Sequence, residues 1–183
     1  MKDFLRFIVG FLPWISFGVL AGPSLLRLEI AILVSLALTV IVGFGQLKKG
    51  FILTWGTLLF FAAIAVLVIL MKNVWTMTHM GLLAPSGMAA IAWFSLAIGK
   101  PFVAQFAREN APVDRWNHPQ FIASCRYLTI VWGCLFLVST ALAFAKYFHV
   151  VADWASTVLS IASVVFGIAY TEWYKKKARE NAK

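Results

Sequence analysis

A run of 21 residues without a charged side chain, at 51–71, sets the strongest limit on what this chain can fold into. An α-helix rises about 1.5 Å per residue, so this run as a helix covers the roughly 30 Å hydrocarbon core of a bilayer. Only 13% of all residues are charged and 62% are hydrophobic, whereas soluble domains carry about 25% charged residues. A small soluble domain could not bury so much apolar surface. The sequence therefore predicts a single integral membrane domain over residues 1–183.

Five further apolar segments of helical length predict an all-α, polytopic transmembrane helix bundle with about six spans. The predicted spans are approximately 4–21, 25–43, 51–71, 82–99 and 122–144, and a sixth that begins at 151 or 154 and ends at about 170. In the first span Pro13 removes a backbone donor, which predicts a kink or a break after a short interfacial piece. A cleaved signal peptide is the alternative there, because Lys2 and Arg6 form a basic region ahead of an apolar stretch.

One face of the second predicted span carries small residues at every fourth position. These residues are Ala31, Ser35, Thr39 and Gly43. Small side chains on one face let another membrane helix approach closely. We therefore expect this face to pack against a neighbouring helix.

The positive charges are distributed unevenly over the predicted loops. Six spans place both termini on one side, and that side receives 13 of the 16 Lys and Arg residues, including a basic C-terminal tail at 174–183. Because cytoplasmic loops carry the excess of Lys and Arg, both termini are predicted to be cytoplasmic. The same distribution argues against nucleic acid as a partner, since the net charge of +9 does not follow one face of a folded domain.

The interval at 99–121 is the longest one without the hydrophobicity of a membrane span. A cytoplasmic amphipathic loop is predicted at about 100–120, where Pro101 starts a short helix with Phe102 and Phe106 on one side and Arg108 towards another. Such a helix is suited to the lipid headgroup layer. The candidate residues for binding an anionic lipid or an acidic partner are Lys100, Arg108, Arg115, Trp116 and Arg126. The alternative is that these cations are ordinary cytoplasmic charges that pair locally with Glu109 and Asp114.

Motifs for catalysis, cofactors or metals are missing from the sequence. It contains no His-Glu-x-x-His, no phosphate-binding glycine loop and no nucleophile elbow. The three histidines, His79, His118 and His149, fall on different loops, so no metal site is predicted. No charged residue lies at the centre of a predicted span, which counts against an ion-coupled transporter. We therefore expect a protein that is not an enzyme and needs no cofactor.

Short motifs spread over most of the chain carry a family resemblance. They are Phe11-Leu12-Pro13 in the first span, Lys100-Pro101 after the fourth, Trp116 in the following loop, and Trp132 with Phe136 in the fifth span. In this layout the chain resembles the intracellular septation protein A family of bacterial inner-membrane proteins. It departs from the family pattern in a longer interval between Trp116 and Trp132, with Asn117-His118-Pro119 as an insert, which marks a divergent branch.

The resemblance implies a non-enzymatic role in cell-envelope integrity or in cell division and septation, through contacts with lipids and with elongation or division proteins. The alternative is a small transporter or lipid-handling protein with a site between the helices near 100–126. Small-residue stripes, Pro and Gly breaks and clustered cations favour that alternative. A cavity that reaches Arg108, Arg115 or Arg126 is what it requires. Homo-oligomerisation is compatible with both.

Overall fold

The computed structural model describes residues 2–22, 24–109 and 111–180, with side chains from residue 10 to residue 177 except residue 153. Within these residues the chain is helical and contains no strand, as the sequence predicts. The α-helices are α1 (Lys2–Leu20), α2 (Leu25–Ile41), α3 (Phe44–Lys48), α4 (Ile52–Ala65), α5 (Val74–Thr78), α6 (Met80–Ala97), α7 (Phe102–Arg108), α8 (Pro119–Tyr147) and α9 (Asp153–Glu180). A π-helix, Val66–Leu70, continues α4, and a 3-10 helix, Val113–Arg115, lies between α7 and α8.

Four helical segments are long and apolar enough to cross a membrane. They are Ile52–Leu70, Met80–Ala97, Pro119–Tyr147 and Trp154–Lys177, and they correspond to the third to sixth predicted spans. The first predicted span contains a shorter apolar helix, Gly10–Leu20. The second corresponds to α2, whose 17 residues make a helix about 25 Å long. The fold therefore defines the class of protein, a helical membrane protein.

Polar contacts between helix ends define two ends of the bundle. At the first, Lys49 after α3 pairs with Glu109 after α7, with 2.5 Å between Nζ and Oε1. At the second, Lys72 after the π-helix pairs with Glu29 near the start of α2, with 2.6 Å between Nζ and Oε1. We call the first the basic end, because α7 and its cations lie there, and the second the opposite end. Successive long helices run between the two ends in alternate directions.

The small-residue face of α2 is buried, as predicted. Ala31, Ser35 and Thr39 are at most 1% exposed, and α2 packs against α1 and α4. The hydroxyl oxygens of Ser16 on α1 and Ser35 on α2 are 3.3 Å apart. Small side chains thus let these helices come close enough for a direct hydroxyl contact.

α1 is one helix through Pro13 and contributes to the whole core. Phe11 is buried in the cluster nearer the basic end and Phe17 in the cluster nearer the opposite end. The ring of Phe11 stacks on Trp132 of α8 at 5.3 Å between centroids, and Phe136 lies beside both. Pro13 therefore does not divide the first span into separate helices.

Parts of two predictions lie outside the described side chains. Four of the 13 positive charges assigned to the cytoplasmic side have side chains that the structure does not describe: Lys2, Arg6, Arg179 and Lys183. The other end of the predicted tail is described, since α9 continues through Lys175 and Lys177.

Candidate anion-binding surface

The short helix α7 carries the candidate site and is built into the core. Its N–H at Phe102 donates to Ser95 Oγ at 3.2 Å, at the end of α6. Phe102, Val103 and Phe106 are at most 5% exposed. The sequence predicts that these apolar side chains lie in the lipid headgroup layer. They pack instead against other helices of the protein. Glycine at position 10 of α1 makes room for them, since a Cβ there would lie 2.8 Å from the Phe106 ring.

Gln105 fixes α7 to the start of α4. Its Oε1 accepts a hydrogen bond from Ile52 N at 2.7 Å, and its Nε2 donates to Gly50 O at 3.1 Å. The pair between Lys49 and Glu109 adds a charged contact across the same junction. These contacts fix α7, and the residue that follows it, to the turn that precedes α4.

Arg108 and Trp116 are brought together by the turn after α7. The Arg108 guanidinium lies over the Trp116 ring, 5.8 Å from the centroid. Trp116 Nε1 donates to Ala111 O at 2.9 Å, which fixes the indole in the loop. An indole under a guanidinium stabilises the cation and leaves its N–H groups free to bind an anion.

The other three candidates lie at the same end but are not joined to that pair. Lys100 is exposed before α7, Arg115 is exposed in the 3-10 helix, and Arg126 is exposed in the second turn of α8. No hydrogen bond, ion pair or ring contact between described residues joins them to Arg108 or Trp116. The site is therefore an extended surface with one preorganised pair, rather than a pocket.

None of the four candidate cations forms an ion pair with a carboxylate of the described residues. Local pairing would join Glu109 to a neighbouring cation. Glu109 instead binds Lys49, which lies in a loop 60 residues away in the sequence. Asp114 is exposed beside Arg115. The positive charge of Lys100, Arg108, Arg115 and Arg126 is thus available to an external anion.

Two further cations at this end were missed by sequence reasoning. Lys48 lies 4.6 Å from the centroid of the Phe44 ring, and Lys177 lies 5.1 Å from that of Trp173. Both pairs are four residues apart on a helix, a spacing that places side chains next to each other. That spacing is a usable signal, although the sequence analysis ends the sixth span at about residue 170 and assigns Lys177 only to the basic tail at 174–183.

The described residues include no group of three His, Cys, Asp or Glu side chains that could hold a metal ion. His79 lies at the opposite end, where its Nε2 is 3.2 Å from the Tyr147 hydroxyl and its ring stacks on Trp75. His118 caps α8 at the basic end, accepting from Gln120 N at 3.4 Å.

No protein-family model, curated protein or solved structure matches this chain. What the candidate surface does must therefore be argued from its own residues.

Proposed function

We propose that this is a six-span protein of the bacterial inner membrane, with both termini in the cytoplasm. Its role would be to support cell-envelope integrity or cell division through contacts with anionic lipids and with elongation or division proteins. The family resemblance supports the cellular role, and the excess of Lys and Arg at the basic end supports the orientation.

A single observation carries the binding part of this proposal. The Arg108 guanidinium lies over the Trp116 ring, 5.8 Å from its centroid, on a loop that Gln105 and the Lys49–Glu109 pair hold against the bundle. A guanidinium fixed in this way binds a phosphate group without first losing its own conformational freedom. Tryptophan at the level of the headgroups is typical of membrane interfaces.

The exposure of Lys100, Arg108, Arg115 and Arg126 supports this function over transport or lipid handling within the bundle. A cavity does lie between the helices, but its lining includes none of Lys100, Arg108, Arg115 and Arg126. Its space of about 10 Å³ for the centre of a water molecule is far too small for an acyl chain or a phosphate. An anion bound by the four cations would therefore lie on the surface of the basic end.

Lipid selectivity in nanodiscs tests the binding part. The measured quantity is the association of spin-labelled phosphatidylglycerol relative to phosphatidylcholine, at low salt. Each Lys or Arg near an anionic membrane surface contributes about 1 kcal/mol. The double variant Arg108→Gln, Arg115→Gln should therefore lose about 2 kcal/mol, roughly 30-fold in relative association. Arg27→Gln, an exposed arginine at the opposite end, is the control and should lose no more than about 1 kcal/mol, the contribution of a single surface charge.

An equal preference for phosphatidylglycerol in the double variant and the wild type would refute lipid binding at this surface. The cellular role has a separate test, deletion of the gene in its bacterium followed by measurement of cell length, septum placement and detergent sensitivity. We expect a defect in at least one, restored by the wild-type gene. Unchanged values for all three would refute the envelope and division role.

A further inference from the structure

Three tyrosines and a serine bring their hydroxyl groups together where α8 and α9 meet at the basic end. The hydroxyl oxygens of Tyr127 on α8 and Tyr170 on α9 are 2.8 Å apart. Tyr174, one turn further along α9, donates to Ser124 Oγ on α8 at 3.4 Å. The centroid of the Tyr174 ring lies 5.4 Å from that of Tyr127 and 6.4 Å from that of Tyr170. We call these four residues the hydroxyl cluster.

The hydroxyl cluster lies at the level of the lipid headgroups. α8 has 29 residues and is therefore about 43 Å long, about 13 Å more than the hydrocarbon core of a bilayer. Arg126, the residue before Tyr127, is charged and exposed, which places this turn of α8 outside the hydrocarbon core. Tyr127 is exposed and the other three members are half-buried, so a lipid can reach the hydroxyl groups.

Two hydroxyl protons of the cluster have no acceptor among the described residues. Each hydroxyl carries one proton. In the pair of Tyr127 and Tyr170 one phenol donates to the other, whichever of the two it is, and the second proton remains. Ser124 Oγ accepts from Tyr174 and donates to no described residue. A ligand of the cluster must therefore supply hydrogen-bond acceptors.

A lysine next to the cluster adds positive charge. Lys177 lies three residues after Tyr174 on the same face of α9, and its Nζ is 5.1 Å from the centroid of the Trp173 ring. Lys177 forms no ion pair with a carboxylate of the described residues. Glu172, the nearest carboxylate in the sequence, pairs with Lys175 at 2.8 Å. The acceptors of the ligand should therefore be negatively charged, and a cationic ligand would be repelled.

An exposed apolar surface continues from the cluster towards the centre of the membrane. Phe166 lies one turn before Tyr170 on α9, and the two rings are stacked with 5.8 Å between centroids. Phe166 is 57% exposed, and Ile130, one turn after Tyr127 on α8, is 39% exposed. This surface favours a phosphate group that is attached to acyl chains over a free phosphate ion.

We propose that the hydroxyl cluster binds the phosphodiester group of one phospholipid molecule. The Ser124 hydroxyl and one of the two paired phenols donate to the phosphate oxygens, and hydrogen bonds to charged oxygens are about twice as strong as neutral ones. The Lys177 ammonium contributes positive charge, and an acyl chain lies against Phe166. Because neutral hydroxyls recognise the phosphate rather than the net charge of the headgroup, this site differs from the anion-binding surface around Arg108 and Trp116.

Native mass spectrometry of the full-length protein tests this site. The protein is delipidated in dodecyl maltoside, a detergent without phosphate, and mixed with phosphatidylglycerol, phosphatidylcholine or diacylglycerol. Ammonium acetate at about 0.5 M keeps the Debye length below about 8 Å, so exposed cations contribute little. We expect the two phospholipids to bind with equal affinity and diacylglycerol, which lacks the phosphate, to bind at least about tenfold more weakly. Equal binding of diacylglycerol would overturn the proposal.

A variant that removes hydroxyl groups but keeps the aromatic rings checks the position of the site. The triple variant Ser124→Ala, Tyr127→Phe, Tyr170→Phe should bind both phospholipids roughly 100-fold more weakly, since each hydrogen bond to a charged group contributes about tenfold or more. Tyr147→Phe is the matched control, because Tyr147 is also on α8 and is 49% exposed, against 44% for Tyr127, but lies at the opposite end. An affinity of the triple variant equal to that of the control would overturn the assigned site.

Two further measurements separate the cluster from other sources of phosphate binding. Arg108→Gln, Arg115→Gln should keep the binding of phosphatidylcholine, and its loss would show that the anion-binding surface holds the phosphate and would overturn the assignment. Inorganic phosphate, added at the same concentration as the lipid, should not displace it; displacement would show a site for free phosphate and also overturn the proposal. The comparison of phospholipid with diacylglycerol needs only the wild-type protein, so it decides even if the triple variant does not fold.

Discussion

Replacing Gln105 by leucine is expected to release α7 from the start of α4. Gln105 Oε1 accepts from Ile52 N at 2.7 Å, and Nε2 donates to Gly50 O at 3.1 Å. Ile52 is the first residue of α4, where the N–H groups have no partner within the helix. The residue before it, Phe51, supplies no side-chain hydrogen bond. Gln105 therefore caps α4 from another helix.

The expected loss follows from these two hydrogen bonds. Removing a side-chain cap typically costs about 0.5–2 kcal/mol. The bond to Gly50 contributes about 1 kcal/mol at most, because it is exposed and water replaces part of it. Leucine has nearly the volume of glutamine, so we expect Gln105→Leu to lower the free energy of unfolding by about 2 kcal/mol. Gln105→Glu keeps an acceptor for Ile52 N near a helix N-terminus and should lose about half as much.

Unfolding in mixed micelles with a rising fraction of dodecyl sulfate, followed by circular dichroism, measures this difference. The control is Gln120→Leu, because Gln120 is exposed at the start of α8 and its side chain makes no hydrogen bond with a described residue. We expect Gln120→Leu to match the wild type. If Gln105→Leu were as stable as this control, Gln105 would not connect the two helices.

Two other predictions concern helix packing and backbone strain. Gly167→Leu should lower the free energy of unfolding by about 1–3 kcal/mol, because a Cβ there would lie 2.7 Å from Leu135 Cδ1 and 3.1 Å from the Trp132 ring. Gly18→Leu is the control: Gly18 has open space around it, so this variant should unfold like the wild type in the same assay. Lys72 has a φ of 49°, so Lys72→Gly should be more stable than Lys72→Ala by roughly 1 kcal/mol, and equal melting of the two variants would contradict this.

The membrane helices were predictable because their signal is local. A helix in lipid must be apolar over its whole length, so the uncharged run at 51–71 located the segment Ile52–Leu70 within a residue. The small-residue face of α2 was also predictable, since a period of four needs no knowledge of the partner. What the pattern could not supply was the π-helix Val66–Leu70, which follows an uninterrupted apolar stretch.

The position of α7 was not predictable, because it depends on residues distant in the sequence. An amphipathic pattern shows that Phe102 and Phe106 share an apolar side, but not whether lipid or protein covers it. The answer lies in Gly10 and Phe51, whose contacts with Phe106 draw α7 into the core. The partner of Glu109 could not be predicted for the same reason, because Lys49 lies in a different loop that is distant in the sequence.

The orientation of the bundle in the membrane is the claim on which the proposed function depends. It is tested most directly by labelling single cysteines in spheroplasts with a membrane-impermeant maleimide, in a Cys125→Ala, Cys134→Ala background. Arg115→Cys lies at the basic end and His149→Cys at the opposite end. The account predicts labelling of His149→Cys in intact spheroplasts and of Arg115→Cys only after lysis. Labelling of Arg115→Cys in intact spheroplasts would contradict it.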